Sequence, residues 1–299
     1  MMFLTGISTR TLSMLSKKLI GRSISPSGIS NANNELIDSA DKWRNRDLSD
    51  EPIKYLFLDG VNFDMRTGKT VDKVPVLVAI GVTEKNLKRV LGFQSGDKES
   101  ASTWREFFKD LKKRGLNGSN IMLGIMDGSA GLEKVFKEEF PNAKVQRCQA
   151  HVARNVLAKV PGKLKKTVAD DLRSIFYASS KKKVLEFFNL FKMKLQKDLP
   201  SAVKYLGNSI DSCPSFFMCP NEEWISLRTA NIIERLNKEF KRRTKPMEIV
   251  AGENACYTLL AFISLKMEIH WRSNPIGKVR KNLPFFKRLD SSENFTQLN

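Results

Sequence analysis

Tyr55-Leu56-Phe57-Leu58-Asp59-Gly60 is the stretch on which the reading of this chain turns, and Ile121-Met122-Leu123-Gly124-Ile125-Met126-Asp127-Gly128 repeats its form. A short apolar run bounded by turn residues reads as a strand buried on both faces. Each aspartate is expected to be the last residue of its strand, held by a rigid element. The glycine after it leaves room for a metal or a phosphate to approach the backbone. One Asp-Gly is ordinarily a turn. Two at equivalent places on two strands point to a pair of carboxylates built into a site.

Working outward, Val74 to Val82 and Leu87 to Phe93 read as two further strands. Ser102 to Arg114 is an amphipathic helix through Trp104, Phe107, Phe108 and Leu111, with Gly115 as its stop. Leu132, Val135, Phe136 and Phe140 mark a helix up to Pro141, and Ala143 to Cys148 is a fifth strand. The order β-β-β-α-β-α resembles that of RNase H: an α/β fold with a mixed five-stranded sheet, whose central carboxylates bind divalent metal. Residues 152–220 show apolar positions only at helical spacing, which predicts an all-helical insertion leaving through Asp211 to Pro220. Thr229 to Arg243 is a basic helix and Tyr257 to Trp271 another, with an irregular tail after Ser273.

Upstream, residues 6–24 carry Leu12, Leu15, Leu19 and Ile20 on one helical face before Gly21. Ser25-Pro26 then opens a second helix through Leu36, Ile37, Ala40 and Trp43. The pair reads as a helix-turn-helix offering Ser27, Ser30, Asn31 and Asn34 to DNA, or as an ordinary helical hairpin. The expected division is 1–50, a helix-turn-helix-like remnant; 51–151, the first part of the core; 152–222, the insertion; 223–272, the last part of the core; and 273–299, the tail.

The 299 residues carry 51 basic and 32 acidic side chains, a formal net charge of +19. That balance favours a polyanionic partner, because neutralising phosphates releases counterions. A basic surface of no specific use, or one facing a membrane, is the alternative. The longest apolar stretches, such as Val74 to Val82, are about half the ~20 residues that span a bilayer. Thr5, Gly6, Ser8 and Arg10 interrupt the start before an apolar signal segment forms, so an intracellular protein is expected. Four cysteines are too sparse for a disulfide framework.

Two hard cations held by carboxylates require a third acid. Glu234 is the best candidate: Asn231, Arg235, Asn237, Lys238 and Lys241 surround it on a helix whose Ile233, Leu236 and Phe240 point inward. The plainer reading makes it an i,i+4 partner of Lys238. Arg235, Lys238, Lys241, Arg242, Arg243 and Lys245 are phosphate-contact candidates, preferred over the Lys181-Lys182-Lys183 run. Cys148-x-x-His151 with Cys213 and Cys219 could complete a tetrahedral zinc site, the less favoured reading because the last two lie over 60 residues away. Otherwise His151 borders the active site, orienting a carboxylate or phosphate, or simply packs.

Four ordered blocks carry a family resemblance: Leu58-Asp59-Gly60; Met126-Asp127-Gly128-Ser129-Ala130-Gly131-Leu132; Phe140 to Asn155, which contains Cys148, His151 and Arg154; and Arg228 to Lys245, which contains Asn231 and Glu234. Together they resemble the Mutator-type transposases of bacterial insertion sequences. The resemblance implies a DDE transposase that cuts and joins DNA strands, with Asp59, Asp127 and Glu234 as catalytic and metal-binding acids and Mg²⁺ or Mn²⁺ as cofactor. It also makes Cys148 and His151 the family's cysteine-histidine motif, and adds Arg154 to the DNA-contacting set. The implied partners are double-stranded DNA, as terminal inverted repeats and target, and further copies of the chain on that DNA. The implied location is cytoplasmic, on the nucleoid, without a membrane role. Family members carry more chain before the block at Ile7, so an N-terminally shortened copy is expected. A non-catalytic DNA-binding remnant and an RNase H-like nuclease are the rival readings.

Overall fold

Tyr55 to Leu58 are all buried because both faces of their strand are covered. Sequences in that position read as continuous apolar runs rather than alternating ones. The computed structural model describes residues 25–277, together with Ser16 and Lys18. A first helix α1 (Pro26–Arg44) leads into strands β1 (Ile53–Thr67), β2 (Thr70–Thr83) and β3 (Lys88–Ser95). Helix α2 (Ala101–Lys113), β4 (Leu123–Met126), α3 (Ala130–Glu139) and β5 (Lys144–Arg147) follow. The sheet has five strands in the order β3-β2-β1-β4-β5. β1, β2 and β3 form an antiparallel meander, while β4 and β5 run parallel to β1.

β1 does not stop at Asp59 as expected. Its antiparallel ladder with β2 continues through Asp59↔Val78 to Thr67↔Thr70, whereas the parallel ladder with β4 closes at Phe57↔Ile125. Asp59 therefore stands where β1 parts from β4, inside a strand held from its other side. Pairing with a hairpin partner has overridden the turn signal of Asp-Gly.

Side chains alternate across a strand, and the two faces hold separate cores. Tyr55, Phe57, Leu123 and Ile125 pack on one face, against Leu236 and Phe240 of α9 (Asn231–Thr244) and Leu260 of α10 (Glu253–Arg272). Leu56, Leu58 and Met126 pack on the other, against Trp104, Phe107 and Phe108 of α2 and Phe136 of α3.

Four helices, α4 (Gln149–Leu157), α5 (Lys165–Phe176), α6 (Lys181–Leu195) and α7 (Pro200–Ile210), separate β5 from the short α8 (Trp224–Leu227) and α9. They enclose a third core of their own, from Val152 to Cys213. No strand interrupts residues 152–220.

The first helix of the expected helix-turn-helix lies outside the described residues, apart from Ser16 and Lys18. In α1, Ser25 caps the helix through a 3.0 Å bond from Gly28 N, with Pro26 in the first turn. Its last turns join the sheet: Ala40 is buried in the α9-side core, and the Trp43 ring stands 6.3 Å from Phe93. Ser27, Asn31 and Asn34 face outward. The four cysteines are free and buried. Among the described residues no helix is long and apolar enough to cross a membrane.

Candidate active site

The parity of the strands aims the two aspartates. Phe57 and Asp59 share a face of β1, and Ile125 and Asp127 share the same face of the β4 line, so both carboxylates turn toward α9. They come near one another just beyond the last β1–β4 pair, Phe57↔Ile125, close enough for the Asp127 charge to act on Asp59. α9 brings the third acid. Its inner residues Ile233, Leu236 and Phe240 are fully buried against the sheet, which holds Glu234 in its first turn and Asn237 one turn later beside β1.

Asp59 Oδ1 accepts the Gly60 N–H at 2.8 Å, and Asp59 Oδ2 accepts the Asn237 Nδ2–H at 2.7 Å. Asp127 Oδ1 accepts the Ser129 N–H at 3.2 Å. Burial, and then the Asp127 carboxylate, push Asp59 up to about 7 from 3.8; Glu234 adds to the rise, while the Gly60 N–H and Lys98 oppose it. The three acids thus act on one another through a shared, poorly solvated space. Asn237 Oδ1 is buried there without a hydrogen-bond partner, and so is Glu234 Oε1, whose near neighbour is His151 Nδ1 at 3.5 Å. An all-oxygen donor set with excess negative charge and orphaned oxygens fits a hard divalent cation.

The glycines serve differently from expectation. A Cβ on Gly60 would stand 2.6 Å from Lys98 Cβ, so the open side of that backbone belongs to the lysine stem, not to a metal or phosphate. Gly128 adopts φ 97°, a left-handed conformation that turns the chain from β4 into α3.

A cleft of about 320 Å³ opens over Asp59 and Glu234, lined also by Asn237, Lys238, Lys241, Arg242 and Lys245. Lys238, Lys241 and Lys245 lie four, seven and eleven positions after Glu234 and share its side of the helix. Arg242 is paired with Glu239 at 2.7 Å. Arg235, Arg243 and Arg154 are exposed but do not line this cleft. Arg235 reaches toward β3, where burial first and then Arg235 push Lys88 down to about 8. Asn231, at the start of α9, is exposed.

Cys148 caps α4 and His151 follows one turn later. Neither Cys213 nor Cys219 joins them, which corrects the four-ligand zinc reading. The Cys213 thiol is buried in the helical core, and Cys219 sits in the sheet-side core against the Tyr55 hydroxyl. Their partner is instead Glu234: a sulfur, an imidazole nitrogen and a carboxylate oxygen from Cys148, His151 and Glu234 all lie within 4.8 Å of one another.

Sequence reasoning left Asn237 as a mere neighbour of Glu234 and missed Lys98 altogether. Asn237 had a signal, a polar residue on the apolar side of α9 among Ile233, Leu236 and Phe240. Lys98 had none, since only the backbone of Gly60 admits it.

The description "Transposase, Mutator family" matches residues 1–274. The chain is 29% identical over 292 residues to the transposase for insertion sequence element IS256 in transposon Tn4001 of Staphylococcus aureus, covering 96% of this chain and 72% of that one. It is 31% identical over 284 residues to the IS406 transposase of Burkholderia multivorans, covering 94% and 71%. It is 29% identical over 293 residues to the IS6120 transposase of Mycolicibacterium smegmatis, covering 96% and 90%. Among solved structures, a crystal structure of NurA aligns at a TM-score of 0.13 and 15% identity over 90% of this chain and 65% of that one, too remote to bear on the fold. A match across nine-tenths of the chain, containing both Asp-Gly segments and α9, is decisive: the chain belongs to the Mutator family of transposases.

Proposed function

We propose that this chain is a DDE transposase with an RNase H-like core, which cleaves DNA strands at the ends of an insertion sequence and joins them to target DNA. The observation that carries the reading is the facing of Asp59 and Asp127 from adjacent parallel strands toward Glu234 on α9, with Asp59 raised to about 7 by burial and by the other two acids. The sheet order, with an antiparallel meander continued by two parallel strands, resembles that of RNase H and supports the same reading.

Asp59, Asp127 and Glu234 would hold Mg²⁺ or Mn²⁺, which supplies charge neutralisation at phosphorus and activation of the attacking oxygen. Asn237 fixes the rotamer of Asp59 through its 2.7 Å bond, and the Ser129 N–H does the same for Asp127. Lys238, Lys241 and Lys245 line the approach to the acids and grip the phosphates flanking the scissile bond. The attacking oxygen is that of water in cleavage and of a 3′-hydroxyl in strand transfer. No side chain need form a bond to phosphorus, because positioning and electrostatics carry phosphoryl chemistry.

The test is cleavage of duplex bearing the element's terminal repeats, in Mg²⁺ and in EDTA. Asp59→Asn, Asp127→Asn and Glu234→Gln are each expected to abolish Mg²⁺-dependent cleavage while DNA binding is retained. A variant that keeps near-native cleavage removes its residue from the triad, and wild-type cleavage in EDTA refutes the metal-dependent reading.

A further inference from the structure

Two helix N-termini meet beside Glu234. The Ala230 N–H, at the head of α9, donates to Cys148 Sγ at 3.2 Å, and the Gln149 N–H, at the head of α4, donates to Arg228 O at 3.0 Å. The Cys148 N–H is in turn bonded to Met126 O at 2.8 Å, at the end of the strand that delivers Asp127. Within this tied junction His151 Nδ1 and Glu234 Oε1 face each other at 3.5 Å, and each is buried with no hydrogen-bond partner. Two buried polar atoms turned toward one point and left unsatisfied call for a shared third body.

We propose that Cys148, His151 and Glu234 form a site for a thiophilic divalent cation of the zinc class, distinct in chemistry from the all-oxygen site it adjoins. The donors are one sulfur, one imidazole nitrogen and one carboxylate oxygen, already within 4.8 Å of one another, the ligand types that zinc takes at tetrahedral sites with an open fourth position. Mg²⁺ does not compete for a thiol and an imidazole, since it prefers oxygen. On binding, a sulfur–metal bond replaces the proton of the Cys148 thiol, which is released to solvent. Because Glu234 belongs to both sites, a zinc-class ion held here draws it from Asp59 and Asp127 and silences the cleft; this consequence alone rests on the function proposed above.

The experiment uses the full chain after chelator treatment, with Co²⁺ as the spectroscopic probe. Co²⁺ is expected to bind one to one with a near-ultraviolet sulfur-to-metal charge-transfer band that Cys148→Ser abolishes. His151→Asn, which leaves the sulfur in place, should keep the band but weaken binding by at least the ~10–100-fold that even an outer-shell change costs. Absence of the band, or an undiminished band in Cys148→Ser at a wild-type melting temperature, overturns the site. If Cys148→Ser does not fold, undiminished affinity in His151→Asn overturns it. Micromolar Zn²⁺ should also release Mn²⁺ from the wild type, read by electron paramagnetic resonance, and fail to do so from His151→Asn. Retention of Mn²⁺ overturns the sharing of Glu234. A chain that shows the Cys148-dependent band yet never cleaves DNA in Mg²⁺ upholds the site and refutes the function proposed above.

Discussion

Asp59 couples the stability of the fold to pH in a direction opposite to that of most acids. Its pKa is about 7 in the folded chain against 3.8 for a free aspartate, so between these values the folded state binds more protons than the unfolded one. Stability from this group is therefore largest at the acid end of the window and is lost as pH rises through about 7. Moving metal-free protein from about pH 5 to pH 8 should cost up to about 2.5 kcal/mol through Asp59 alone, at 1.36 kcal/mol per pKa unit. For a chain of this size that is a fall in Tm of roughly 4 °C. Asp59→Asn keeps the side-chain volume and removes the titration, so the difference between wild type and variant isolates the effect from other groups. Calorimetry in EDTA across this range should show the variant gaining on the wild type as pH rises. Mg²⁺ at pH 8 should restore the wild type and leave Asp59→Asn nearly unmoved. Parallel Tm curves for the two proteins would show that Asp59 is not held in a carboxylate cluster.

Asn237→Leu removes a hydrogen bond to a charged oxygen, worth about 1.5–3 kcal/mol, and so should raise the Asp59 pKa by about one to two pH units. The acid limb of the cleavage rate against pH is expected to move up by that amount, and an unmoved limb would remove Asn237 from the site. Replacing Lys238, Lys241 and Lys245 together by glutamine should flatten the dependence of log K on log salt by up to about 0.9 per lost phosphate contact. The same change at Arg154, Arg235 and Arg243 should flatten it less, and an equal effect would show that the cleft is not the preferred path of the DNA.

The sheet and both aspartates were legible because buried parallel strands leave an unmistakable mark, a run such as Leu56-Phe57-Leu58 with no polar interruption. The length of β1 was not legible. Asp59-Gly60 carries the composition of a turn, and only pairing with Val78 and Leu77 on β2 keeps it extended. Glu234 could be chosen from its neighbours on α9, because the inward triplet Ile233, Leu236 and Phe240 fixes which side faces the sheet. The partners of Cys148 could not. Spacing along the chain offered only two distant cysteines, whereas the junction of α4 with α9 is made by backbone bonds through Ala230 and Arg228 that leave no pattern in sequence.

The basic residues of α9 have a competing explanation in helix electrostatics. Lys241, Arg242 and Arg243 occupy the last turn, where cations offset the negative end of the helix dipole whatever the helix does. That account reaches only the last turn. Lys238 stands in the middle of α9, in the same cleft as Asp59 and Glu234, and gains little from the dipole there. Lys245 caps the C-terminus, its N–H on Lys241 O, and there the dipole favours a cation without requiring it on the cleft side, where it stands. A helix stabilised by its own ends would scatter such residues around the axis. Here Glu234, Lys238, Lys241 and Lys245 keep to one side while Arg235 and Arg243 do not, so α9 gathers its acid and part of its cations on one cleft. The buried Ile233, Leu236 and Phe240 hold the two functions at a fixed separation. On the proposed function, a phosphate bound at Lys241 would be placed relative to the carboxylates by the same helix, with no hinge between grip and chemistry.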